Sequence, residues 1–123
     1  MDFDRLFKNW DDRETFDAGA TIFRADDPAE AIYAILSGSV QLFIKDKILG
    51  SEDAGGIIGE MAIIDSDTHN LTAVALTPVV VAKLDLDQFK QFIKTQPDFS
   101  LHAMAALAQR LRTVDGFISE QMN

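Results

Sequence analysis

Between Glu14 and Leu84 the apolar residues come in short runs: Thr21–Phe23, Ala31–Leu36, Val40–Ile44, Lys47–Leu49, Ile57–Ile58, Leu71–Leu76 and Val79–Leu84. Gly, Asp, Pro and Ser separate them at roughly eight- to twelve-residue spacing, the pattern of an all-β sandwich or barrel. Val40, Leu42 and Ile44 alternate with Gln41 and Phe43, as in a strand with one buried face. Ser37-Gly38 and Lys45-Asp46 read as tight turns.

The period is helical at both ends. Phe3, Leu6, Phe7 and Trp10 predict a short first helix. Asp85 and Gln88 form a capping box ahead of a face made by Phe89, Phe92 and Ile93. Pro97 suits the first position of another helix, with Asp98 in its first turn. Leu101, Met104, Leu107, Leu111, Val114 and Ile118 form a stripe along it, and Gly116 weakens its end. This stripe has two readings, a docking face against the β-structure or a homodimer seam, because part of it keeps heptad spacing. The fold class is therefore mainly β with flanking helices: a β-roll over about residues 13–85 and C-terminal helices over about 86–121. A single domain over 1–123 is expected, since the chain is long enough for one core without staples.

Composition narrows the chemistry. The chain has no cysteine, which removes disulfides, thiolate metal sites and cysteine nucleophiles. Its two histidines, His69 and His102, lack ligand-like spacing, and no nucleophile-elbow pattern is present. No enzyme activity, metal or cofactor is expected. The formal net charge of −9 with scattered basic residues argues against direct nucleic-acid binding, which needs clustered Lys and Arg. Neither a signal core nor a membrane-spanning run is evident, so no membrane contact and a cytoplasmic location are expected.

The candidate chemistry lies in Gly59-Glu60-Met61-Ala62, followed by His69-Asn70 and a strand. A glycine lets backbone approach a ligand closely. The free N–H groups of a turn point at an anion, and a carboxylate accepts from hydroxyls. Taken singly, these residues also have plainer readings. Glu60 could cap a turn, His69 is expected more as a solvated loop residue than as pocket lining, and Asn70 fits turn chemistry. Asp65 and Asp67 read as a solvated loop rather than a metal site.

With these motifs in place, the chain resembles the cyclic nucleotide-binding domains of the catabolite activator and protein kinase regulatory type. The likeness runs from about Phe16 to Leu111. It is carried by Ala18–Arg24, Ile32–Val40, Gly59-Glu60-Met61-Ala62 and Leu71–Thr77. The resemblance implies a double-stranded β-helix, a jelly-roll-like β-roll, and a regulatory role in signal transduction. It implies that Glu60 holds a ribose hydroxyl, that the amides of Met61 and Ala62 cradle a cyclic phosphate, and that His69 and Asn70 stand where the family has an arginine and a small hydroxyl residue. Asp26 and Ala29 replace two glycines usual in the family.

A guanidinium gives two parallel, permanently charged bonds to phosphate, whereas a free histidine is mostly neutral at pH 7. Cyclic AMP or cyclic GMP, or a related small anionic ligand, is therefore expected to bind weakly. Three readings of the pocket stay open: a protonated His69 beside the phosphate, a ligand carrying less charge, or a vestigial cassette. The chain reads as a stand-alone, bacterial-type domain without a DNA-binding segment. Its output is expected to pass through an unidentified protein effector or a homodimer at the C-terminal helix. The alternative is a degenerate, ligand-independent interaction scaffold.

Overall fold

The protein is described by a computed structural model covering residues 2–60, 62 and 68–122, with side chains to residue 116. Met61, Asp65, Asp67 and the side chain of Ile118 fall outside the described residues.

The short apolar runs become eight strands: β1 (Arg13–Phe16), β2 (Thr21–Phe23), β3 (Ile32–Ser37), β4 (Ser39–Ile44), β5 (Lys47–Asp53), β6 (Ile57–Ile58), β7 (Thr72–Ala75) and β8 (Val79–Leu84). They form two four-stranded antiparallel sheets, ordered β1-β8-β3-β6 and β2-β7-β4-β5. The result is a double-stranded, jelly-roll-like β-roll. Gly38 makes the β3–β4 hairpin possible: its φ is +91°, and a Cβ there would collide with the Pro78 carbonyl oxygen. Only glycine tolerates both conditions.

Burial explains why β3 is apolar throughout rather than alternating. Tyr33 and Ile35 face the opposite sheet, packing with Phe23, Val40, Leu42, Ile58, Ala73, Val79 and Val81. Ile32, Ala34 and Leu36 face outward, yet they are covered by helices and pack with Phe3, Phe7, Phe89 and Phe99. A strand buried on both faces loses the period-two signal.

Three helices make that cover: α1 (Phe3–Leu6), α2 (Leu86–Thr95) and α3 (Pro97–Met122). The Asp85–Gln88 capping box forms reciprocally at the start of α2. Helix α1 is shorter than the Phe3–Trp10 pattern predicts, because Trp10 leaves the helix to donate its indole N–H to the Lys83 carbonyl at 2.8 Å. Gly116 does not end α3, which runs on to Met122.

The face α3 turns to the roll carries Phe99, Ala103 and Arg110, at 0, 8 and 4% exposure. The larger stripe points away, with Leu101, Met104 and Leu111 at 66, 63 and 50%. Leu101, Met104 and Leu111 are therefore not part of the docking face against the roll, whereas Leu107 and Val114 of the same stripe are half-buried. The smaller Ala103 allows close approach to the sheet, and Phe99 fills the aromatic cluster beneath it.

Candidate functional site

The chain crosses from one sheet to the other between β6 and β7, and the candidate residues lie on that crossing. Gly59 follows β6 with φ +83°. A Cβ there would stand 3.3 Å from the Ala31 carbonyl oxygen, from His69 Cε1 and from Tyr33 Cδ2. The glycine thus lets the backbone approach the protein's own rings. Glu60 and Ala62 follow in helical backbone, 3 and 1% exposed.

Glu60 is a buried carboxylate whose two oxygens accept no well-formed hydrogen bond. Burial raises its pKa above 4.5; the Arg110 guanidinium and Glu60's own backbone amide oppose the rise, and Glu52 adds to it. Arg110 reaches in from α3, with one terminal nitrogen 3.4 Å from Glu60 Oε1. Its other terminal nitrogen donates to Glu52 Oε1 at 2.8 Å and to the Ile57 carbonyl at 3.3 Å. One cation therefore stands between two carboxylates.

His69 corrects the expectation of a solvated loop residue, being only 3% exposed. Its ring lies flat on Phe23, with centroids 3.8 Å apart and planes 11° from parallel, and Phe23 in turn stacks on Tyr33 at 5.5 Å. Burial lowers the His69 pKa below 6.5, while Asp27 opposes the shift. Burial thus favours the uncharged imidazole, which weighs against the protonated reading of the pocket. The backbone of His69 is laced to the β2–β3 loop: its N–H donates to the Asp27 carbonyl at 2.9 Å, and its carbonyl accepts from Asp26 N–H at 2.7 Å. Asp26 keeps a left-handed φ of +74°, the backbone state for which glycine is usual.

Gly59, Glu60, Ala62, His69 and Asn70 line one small cavity together with Phe23, Leu71 and Arg110. Asn70 itself is exposed. The cavity holds about 10 Å³, about one water molecule by volume. Arg110 was not anticipated as a site residue. A signal existed, since Phe99, Ala103 and Arg110 share a helical face, but the bulkier leucine stripe masked it. Among the described residues no group of three His, Asp or Glu side chains could hold a metal ion. No helix among them is long and apolar enough to cross a membrane.

The molecule is thus a β-roll flanked by helices, with a Gly-Glu turn at the crossing between the sheets. The sequence profile of the cyclic nucleotide-binding domain matches residues 13–96, and the chain belongs to that family. It is similar to the global nitrogen regulator of Synechocystis sp., with 34% identity over 106 residues, 80% of this chain and 47% of the relative. It is also similar to the cAMP-activated global transcriptional regulator of Pasteurella multocida, at 28% identity over 81% of this chain and 51% of the relative. Among solved structures, the catabolite activator protein of Thermus thermophilus matches with a TM-score of 0.78 and 25% identity, over 98% of this chain and 59% of that one. The chain spans about half the length of the curated relatives it matches.

Proposed function

We propose that this chain is a non-enzymatic regulatory module that binds a cyclic nucleotide or related small ligand at Gly59, Glu60, Ala62, His69 and Asn70, with Met61 as part of the same cassette. The observation that carries this is Glu60: a buried carboxylate that accepts no well-formed hydrogen bond, with only a long 3.4 Å contact to Arg110, is suited to accept from ligand hydroxyls. Binding is weak, because neutral His69 stands at the phosphate-pairing position and the nearest guanidinium, Arg110, is already engaged by Glu52. Losing one partner of a desolvated charge pair costs roughly 2–5 kcal/mol. The signal leaves through a protein partner or a homodimer on the exposed stripe of α3, and the module acts without direct contact to nucleic acid.

Titration with cyclic AMP and cyclic GMP at pH 8, alongside His69→Arg, tests this reading. The parent should bind weakly, and His69→Arg should bind at least about 30-fold more tightly, the lower end of that energy range. Failure of both proteins to bind at millimolar ligand would leave the second reading, a ligand-independent scaffold. That second reading draws support from the cavity's size, about 10 Å³, far below the roughly 300–1,000 Å³ usual for ligand pockets.

A further inference from the structure

The cavity is small, about 10 Å³, and the His69 ring is part of its wall. The His69 ring is sandwiched against Phe23 on one face at 3.8 Å, and its Cε1 reaches 3.3 Å from where a Gly59 Cβ would stand. The ring shares the cavity wall with Glu60 and Arg110. Its backbone is clamped on both sides to Asp26 and Asp27, and Thr68 bridges Pro28. The clamp fixes where the side chain starts, and the ring stacks on Phe23 and packs near Tyr33. The loop is held through backbone groups, so rotation about the side chain's χ angles can vacate the space while the loop stays paired.

We propose that His69 is an internal plug: its imidazole occupies the ligand seat, and a ligand reaches Glu60 by displacing it from Phe23. This rests on the ligand-binding reading above and assigns the site's regulation. His69 then controls affinity by filling space, in addition to lacking a permanent charge. The vacated seat is a flat, ring-sized slot with Phe23 as its floor and the Glu60–Arg110 pair at its rim. An aromatic ring carrying a hydrogen-bond donor matches it, since Phe23 offers a face and Glu60 an acceptor.

The two ideas separate experimentally at pH 8, with His69→Ala opening the slot and His69→Phe refilling it without polarity. Free imidazole is the probe. It should raise the melting temperature of His69→Ala and leave the parent and His69→Phe unmoved, and cyclic AMP should bind His69→Ala at least tenfold more tightly than either. If His69→Ala does not fold by circular dichroism, His69→Asn, smaller than the imidazole, takes its place. Imidazole binding to His69→Ala without cyclic AMP binding in any variant removes the nucleotide reading and the plug with it, leaving His69 as a core side chain whose loss opens a fillable hole. Equal cyclic AMP affinity in the parent, His69→Ala and His69→Phe upholds the nucleotide reading and overturns the plug. No response to either probe in the folded small-residue variant overturns both. Where cyclic AMP binds the parent, nuclear Overhauser contacts between the His69 and Phe23 rings should vanish in the bound state; their persistence there also overturns the plug.

Discussion

Glu60 Oε1 lies 3.4 Å from a guanidinium nitrogen of Arg110, joining the turn after β6 to the middle of the last helix, and both side chains are almost fully buried. The contact is long for a hydrogen bond, and the same guanidinium makes its shorter bond to Glu52. Buried pairs of this kind are weak evidence for stability, because desolvation offsets much of the attraction. Breaking one is costly all the same, since the remaining charge is stranded.

Removing Arg110 should therefore destabilise the fold strongly. Arg110→Met is expected to cost about 3–5 kcal/mol, the range for breaking a buried ion pair. Adding Glu60→Gln should recover a large part of that loss, because the stranded carboxylate is gone. A double-mutant cycle by urea denaturation checks this. Additive effects of the two substitutions would show that the pair does not interact energetically.

Stability should respond to pH through two buried groups of opposite sense. The Glu60 pKa is raised above 4.5, so its contribution is fully present below that value and is lost as pH rises through the folded pKa. The His69 pKa is lowered below 6.5, so its contribution is present above 6.5 and is lost as pH falls through the folded pKa. Each slope is bounded by one proton, about 1.4 kcal/mol per pH unit. Denaturation curves from pH 4 to 8 should show Glu60→Gln losing the first dependence and His69→Phe the second. Curves parallel to the parent's in both variants would refute the assignment.

Two loop positions should move stability in opposite directions. Asp26 holds φ at +74°, and its N–H bond to the His69 carbonyl survives any side-chain change. Asp26→Gly relieves the left-handed strain and should gain about 0.5–1 kcal/mol, after the glycine's extra entropy is subtracted. Gly59→Ala meets both a positive φ and three contacts at 3.3 Å, and should lose about 1–3 kcal/mol. Melting temperatures of the two variants check the signs, and a gain in Gly59→Ala would contradict the close approach of His69 and Tyr33.

The exposed face of α3 gives a prediction about association. Leu101, Met104 and Leu111 stand clear of the roll, so Met104→Glu with Leu111→Glu should leave the folded protomer within about 0.5 kcal/mol of the parent. The same pair of changes should abolish self-association. Sedimentation velocity across protein concentration reads this out. If the parent sediments as a monomer at all concentrations, the homodimer seam is ruled out and a different protein partner remains.

The strands were legible because their apolar runs were short, punctuated and spaced for hairpins, and the start of α2 was legible because Asp85 and Gln88 cap it locally. The Gly59-Glu60 turn was legible for the same reason: a left-handed glycine followed by a carboxylate is a property of adjacent residues. What the neighbours of Glu60 are is a property of residues far apart in the chain. Arg110 comes from 50 positions away, Phe23 and Asp27 meet His69 across the roll, and no local pattern records those distances. The sequence by itself determined the β-roll, its helical flanks and the family's cassette, because secondary-structure period and turn chemistry are written locally. Only the tertiary structure decided that the smaller Phe99–Ala103–Arg110 face docks. It also decided that the histidine is buried and its pKa pushed down, because packing and desolvation depend on what the fold brings alongside each group.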